Sequence, residues 1–477
     1  MGREITGSRF RKADFERFGK KLREETDRLR DWLKAGRVSR RHGIGGYELE
    51  AWLVDSRQEP APVNEELMAR MPAGVVTPEL ARFNFELGAP PREVGRDFLS
   101  GMHGEMAANW RQSRLVAADL GAAPVMIGIL PTLTDAMLGV GNMSRMERYK
   151  ALNEQILRQR RGRPLPLDIQ GHEYLHTEHQ DVMLEAATTS FQLHLQVAVE
   201  KASRFFNAAM AVSGPMVGAT ANSPFLFGKR LWRETRIPLF EQSVAAGGFG
   251  DAAFGPVRRA TFGSGYVQRS LMEVFQENLE HFPVLLPVEL DDPPETLPHL
   301  RLHNGTIWRW NRPLVGFDDD GTPHLRVEHR VVPAGPTPVD SVANAALFFG
   351  LVRVLAEQPQ PPEEDLEYAT ARENFYRAAK HGLEAVLAWV DGRHWRLEEL
   401  LRRRLLPMAR EGLQEWGCNA GDTDRFLEVI AERVRTRQTG AAWQIAYARE
   451  HGRDFAALVA AYRTHQDEDR PVHEWPV

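Results

Sequence analysis

The chain of 477 residues has a single cysteine, Cys418, so no intrachain disulfide can form and the composition fits a reducing cytosol. It also lacks a long unbroken apolar run. Val342 to Ala356 is interrupted by Asn344 and Arg353 and is too short to cross a bilayer. The segment from Met1 to Asp14 has no apolar core of the kind a secretory signal needs, and Met1-Gly2 with Thr6 is too brief a match to a myristoylation pattern to outweigh chance. Internal repeats and low-complexity tracts are missing, as is any long tract of one charge. Net charge is −5 with acids and bases interspersed, so neither nucleic acid nor a membrane is expected as a partner. What remains is an ordinary cytoplasmic globular protein, longer than one typical domain.

Against that background four segments alternate apolar and polar side chains with the period of a β-strand. Tyr47 to Leu53 puts Glu48 and Glu50 on one face, and Phe83 to Leu87 does the same with Asn84 and Glu86. Ser190 to Val197 segregates Gln192, His194 and Gln196, and Leu325 to Val331 segregates Arg326, Glu328 and Arg330. A solvated sheet face would account for alternation alone. Acids and Asn are poor strand formers, however, and Glu48 and Glu50 at strand spacing, roughly 7 Å, repel by about 2 kcal/mol at an effective dielectric near 20. A bound divalent cation turns that repulsion into attraction. Oxygen-rich donors favour a hard ion such as Mg²⁺, which keeps positions open for phosphate.

The remaining pattern divides the chain into an amphipathic helix within 1–42, a core over 43–358 and a helical segment over 359–477 that shows no convincing strand. Further helices are expected over Glu93 to Leu120, from a Ser144/Glu147 capping box to about Gln159, over Ala202 to Val212, and from an Asp340 cap to about Glu357. Six glycines between residues 243 and 265 suggest a loop at the site, without Walker or dinucleotide spacing. The fold class is α+β, with a curved, mainly antiparallel sheet, helices on its outer face and a helical C-terminal segment.

Gly46-Tyr47-Glu48-Leu49-Glu50, Phe85-Glu86 before Pro90-Pro91, Thr189 to His194, Ala221 to Phe225 with Gly228-Lys229 and Arg236, and His303, Thr306 to Trp308 and Arg312 with Val327 to Arg330 occur in a fixed order. Taken together they resemble the glutamate–cysteine ligases of the second type and their carboxylate–amine ligase relatives, which have a glutamine-synthetase-like catalytic fold. The resemblance implies ATP-dependent joining of a glutamate-like carboxylate to an amine or amino acid through an acyl-phosphate, with ATP and Mg²⁺ bound. It further implies Glu48, Glu50, Glu86, His194 and Glu328 as metal ligands and Arg330 with Glu328 as catalytic. Gln192, Arg236 and Arg312 would hold substrate, and Lys229 the nucleotide. Val331-Val332-Pro333 stands where family members often carry an aspartate.

Competing readings come from the same residues. His172-Glu173-Tyr174-Leu175-His176 spells a zinc-peptidase motif, which works only on a helix, and Pro164, Pro166 and Gly171 stand just upstream. A non-catalytic nucleotide-binding relative, or a kinase on the same sheet, would use the same acids. Trp308 and Trp310 suit core packing or a base shelf. The C-terminal leucines suit core, and a homo-oligomer is left open.

Overall fold

The computed structural model describes residues 4–5, 7–246 and 258–477. Gly247, Gly248, Gly250 and Gly255 of the glycine-rich stretch, and Met1, Gly2 and Thr6, lie outside the described residues. Gly263 and Gly265 lie in the irregular segment leading to the helix Met272–His281.

An eight-stranded antiparallel sheet carries the core, curled into a half-barrel. Its main path runs from Asn311–Phe317 through Pro323–His329, Phe191–Val197, Ile44–Val54 and Asn84–Gly88 to Val76–Pro78. The short strands Arg92–Glu93 and Ala123–Val125 also pair with Ile44–Val54. Alternation in that strand behaves as read from the sequence: Tyr47, Leu49 and Ala51 are buried on one side while Glu48 and Glu50 share the other. Phe191–Val197 is buried throughout, so the polar face lines an interior cleft instead of a wetted surface.

Behind the sheet lie two apolar helices, Ala202–Thr220 and Pro338–Glu357. The second has the length and composition of a membrane span, but 89% of its apolar window is buried. Phe348 on it stacks on His329 at 4.4 Å between ring centres. Burial holds the His329 imidazole down to about 3, so it packs as a neutral ring whose Nδ1 meets Asn311 Oδ1 at 2.7 Å. Gly45 lets the helix Phe98–Asp119 approach the sheet, because a Cβ there would sit 2.6 Å from the Phe98 ring.

Several local expectations change. Ser144 does not cap the helix Glu147–Gln159; its hydroxyl donates to the Glu79 carbonyl at 2.5 Å. Thr337, not Asp340, caps the helix Pro338–Glu357, its hydroxyl accepting from the Asp340 N–H at 3.1 Å. Ala202–Thr220 runs well past Val212 with Pro215 inside it. The C-terminal segment is largely helical but includes a hairpin, Val386–Ala388 with His394–Arg396, too short for alternation to signal it.

Candidate active site

Strand register sets three rows of side chains across the inner face. Thr77 lies opposite Glu86, and Glu86 opposite Glu50. Two residues along, Glu48 lies opposite Gln192. A further step of two aligns Gly46, His194, Glu328 and Arg312. A period of two keeps all three rows on one face, so segments far apart in sequence deliver their polar groups to one place.

Two trios of potential ligand atoms result, Glu48 with His194 and Glu328, and Glu50 with Glu79 and Glu86. Within each trio the atoms lie within 4.8 Å of one another. Their electrostatics differ. Burial opposes ionisation of Glu328, but Arg312, Arg330 and His194 pull its carboxyl well below the usual range. The Arg312 fork donates from Nε and Nη2 to its two oxygens, each at 2.8 Å, and Arg330 Nη1 donates to Oε2 at 3.2 Å. Glu48 is half-buried, which opposes its ionisation, yet His194, 3.6 Å away, brings its carboxyl down to about 2. That separation is too long for a hydrogen bond. Both ring nitrogens of His194 are therefore buried without a hydrogen-bond partner.

The second trio is short of positive charge. Burial and then the neighbouring acids push Glu79 and Glu86 well above the usual range, and burial also raises Glu50 despite Arg330 and the Ser190 N–H that donates to it at 2.6 Å. Nearby Glu185 is pushed up to about 8 by burial and the charge of Glu50. Among the described residues no Lys, Arg or His lies within ion-pair distance of Glu50, Glu79, Glu86 or Glu185. Clustered acids that are partly or fully buried with no cation in contact are costly, and an all-oxygen donor set fits a hard divalent cation.

Glu79 and Glu185 are absent from the sequence-based set. Glu79 follows the three-residue strand Val76–Pro78 and Glu185 opens a single 3₁₀ turn, Glu185–Ala187, so neither sits in an alternating pattern that could reveal it. Glu79 is placed by Ser144, and by Tyr149, whose hydroxyl donates to the adjoining Pro78 carbonyl at 3.1 Å.

The acids open into a cavity of about 370 Å³ whose two ends differ in chemistry. One end is formed by the helix Pro298–Gly305 and the last two strands of the sheet; there Leu302, Leu314 and Val315 meet Arg301 and Arg326. Arg326 Nε has no hydrogen-bond partner, and no ion pair joins Arg326 to Glu328 among the described residues. The other end gathers Glu79, Glu185, Arg148, Leu152 and Val182. Gln192 lies between, donating to Glu50 Oε1 at 2.8 Å and accepting from Arg330.

Not every expected residue reaches the cavity. Arg236 is buried beneath it, donating to Glu234 at 3.1 Å and to the carbonyls of Arg330 and Val331, so it positions Arg330 instead of facing substrate. Asn222 is likewise an interior tie, bonded to the Ala334 carbonyl and Tyr462. Lys229 sits on an exposed hairpin 3.9 Å from Glu173, away from the cavity wall. Residues 172–176 belong to the hairpin Leu165–Gln170 with Tyr174–His179, where Glu173 pairs with Arg453 at 2.8 Å. A hairpin cannot stack two imidazoles one helical turn apart, which removes the zinc-peptidase reading. Trp310 is core, its indole N–H on Glu241 at 2.9 Å, whereas Trp308 reaches the cavity. His303 lies on the helix Pro298–Gly305 and not in the strand pair.

Acids and arginines clustered on one face of a curled antiparallel sheet fit a ligase of the glutamate–cysteine ligase type, the class that the comparisons indicate. The chain belongs to glutamate-cysteine ligase family 2, whose sequence profile matches residues 44–469 and so takes in the helical C-terminal segment as well as the sheet. Its fold is similar to that of the glutamate–cysteine ligase of Francisella tularensis solved with AMP, with a TM-score of 0.54 and 12% identity over 92% of this chain and 91% of that one. The bifunctional glutathione synthetase of Pasteurella multocida aligns with a TM-score of 0.48 and 11% identity over 89% and 53%. The ligase PafA in complex with the prokaryotic ubiquitin-like protein Pup aligns at 0.40 and 10% over 89% and 73%. No curated protein matches the chain.

Proposed function

We propose that the protein joins a glutamate-like carboxylate to an amine in an ATP- and Mg²⁺-dependent reaction that passes through an acyl-phosphate. One observation carries this reading: the five acids of the two trios line a single cavity with Arg330, and the ends of that cavity suit two unlike ligands. The apolar, basic end formed by Leu302, Leu314, Val315, Arg301 and Arg326 suits a nucleotide. At the other end Glu185, outside both trios, suits an ammonium group.

Glu48, His194 and Glu328, and Glu50, Glu79 and Glu86, would hold Mg²⁺, which when bound neutralises phosphate charge. Arg330, fixed by Glu328 and Gln192, would stabilise the transferring phosphoryl group, a task that needs a preorganised cation more than covalent chemistry. Gln192 couples that arginine to Glu50. Arg312 serves by fixing Glu328 in its ionised form.

The test is an ADP-release screen over carboxylate and amine pairs, with products identified by mass spectrometry. Release of ADP, phosphate and an amide supports ligation. A stable phosphorylated product would make the protein a kinase, and the absence of nucleotide turnover with every pair would make it a binding protein.

A further inference from the structure

The strand Pro323–His329 ends one residue before Arg330, and the carbonyls of Arg330 and Val331 accept from the two terminal nitrogens of Arg236, Nη1 lying 3.3 Å from Arg330. Arg236 Nε donates to Glu234 Oε1 at 3.1 Å, and the other oxygen of Glu234 accepts from the Asn222 N–H at 2.7 Å. Asn222 commits both protons of its side-chain amide, one to the Ala334 carbonyl at 2.8 Å and one to the Tyr462 hydroxyl at 2.9 Å. Its Oδ1 accepts from Gln444 Nε2 at 3.0 Å, and Gly440 leaves room for that oxygen, because a Cβ there would collide with it. Gln444 and Tyr462 belong to the last two α-helices, Gly440–His451 and Phe455–Asp467, and the Tyr462 hydroxyl donates onward to the Met126 carbonyl at 2.9 Å. Arg236, Glu234, Asn222, Gln444 and Tyr462 are all buried. One interior network therefore holds both ends of residues 330–334.

We propose that Tyr462, Asn222, Glu234 and Arg236 are positioning residues, a chain of hydrogen bonds through which the C-terminal helices set the direction of the Arg330 guanidinium at the cavity. A buried carboxylate and guanidinium are costly to desolvate, and apolar side chains of equal volume would fill the same space at least as well. What the charged pair supplies is direction, since a planar fork meets two successive carbonyls and fixes their place. Glu328 and Gln192 hold the head of the Arg330 side chain, and the network holds its root. Removing any one member leaves a buried polar group unpaired, so the chain responds to the loss of a single atom. The inference deepens the ligase reading and rests on it for the task of Arg330.

Tyr462→Phe removes one oxygen and keeps the ring against Trp443 and Trp475. The Met126 carbonyl retains Gln466 as a donor at 3.0 Å, so Asn222 alone loses a partner. On the full chain, amide exchange read by mass spectrometry should quicken at least about tenfold over residues 330–334. The kcat for ADP release should fall at least about tenfold with the KM for ATP unchanged, because Arg330 meets charge that develops only during transfer. Glu234→Gln should act in the same way. Tyr447→Phe, which takes another hydroxyl from the same pair of helices without touching Asn222, should move neither quantity. Unchanged exchange over 330–334 in Tyr462→Phe, an unchanged kcat, or equal losses in Tyr447→Phe overturns the proposal. Should both network variants misfold, exchange of the unmutated chain in rising urea decides. The amides of Arg330 and Ala334 should open in the step that opens the helix Phe455–Asp467, and protection that outlasts this helix overturns the proposal. Faster exchange in Tyr462→Phe alongside a blank ADP-release screen would sink the ligase reading and leave the tie to Arg330 standing.

Discussion

Arg312 and Glu328 face each other across neighbouring antiparallel strands and are joined by two parallel hydrogen bonds of 2.8 Å. Glu328 is 1% exposed, so the bidentate grip is what allows it to stay ionised. Lysine is a point charge that cannot reproduce the fork. Arg312→Ala should destabilise the fold by about 3 kcal/mol in urea unfolding, as removal of one partner of a buried ion pair does. Arg312→Lys should retain most of that stability yet lose at least about tenfold in ADP release, given that a misplaced charged contact costs upward of one RT ln 10. Turnover by Arg312→Lys equal to that of the unmutated chain would show that the geometry of the fork is irrelevant.

Glu48→Ala, Glu328→Ala and Arg330→Ala should each abolish turnover, because each removes a charge from the converging rows. Circular dichroism should show the fold intact. Near-normal turnover in any two of them would remove the basis for the assigned site.

Glu79→Gln should weaken Mg²⁺ activation, since Glu79 is one of the three oxygen donors of its trio. Activity lost to a chelator should return with Mg²⁺, and the variant should need at least about tenfold more of it, in keeping with the worth of one charged donor. An unchanged Mg²⁺ requirement would place the cation elsewhere.

Without added cation, stability should fall as pH rises. Glu185 has a folded pKa raised from 4.5 to about 8, with Glu79 and Glu86 also raised, so their contribution is present below 4.5 and lost as pH climbs through the folded values. Glu48 behaves in the opposite sense. Its folded value of about 2 gives stability above 4.5 that disappears as pH falls toward 2. The metal-free melting temperature should therefore be highest in mildly acidic buffer, and Mg²⁺ should raise it more at pH 8 than at pH 5. A metal-free melting temperature that climbs steadily from pH 5 to pH 8 would contradict this.

On the opposite side of the cavity wall, Glu25 of the helix Lys12–Lys34 accepts from the Leu300 N–H at 2.8 Å and meets His299 Nδ1 at 2.6 Å. Both side chains are buried, so the N-terminal helix clamps the start of the helix Pro298–Gly305. Glu25→Ala should cost about 2–4 kcal/mol of stability. Nucleotide binding should weaken before amino-acid binding does. Loss of stability with both affinities unchanged would confine this pair to a purely structural task.

The sequence by itself determined the inward polar faces. Alternation in Tyr47 to Leu53 and in Leu325 to Val331 is a local property, fixed by the two-residue period of a strand, and it separates Glu48, Glu50, Glu328 and Arg330 from the apolar residues between them. It also made the family resemblance and the helical C-terminal segment legible. Pairing partners were not legible. Strand register decided that Glu86 stands against Glu50 and that His194 lines up with Glu328 and Arg312. Tertiary packing decided that Arg236 supports Arg330 from below, that Lys229 stays outside, and that Glu79, Glu185 and Arg148 line the cavity from short turns and a helix start. Side chains outside regular strands have no periodicity to mark their direction, so their roles emerge only when distant segments close around a shared space.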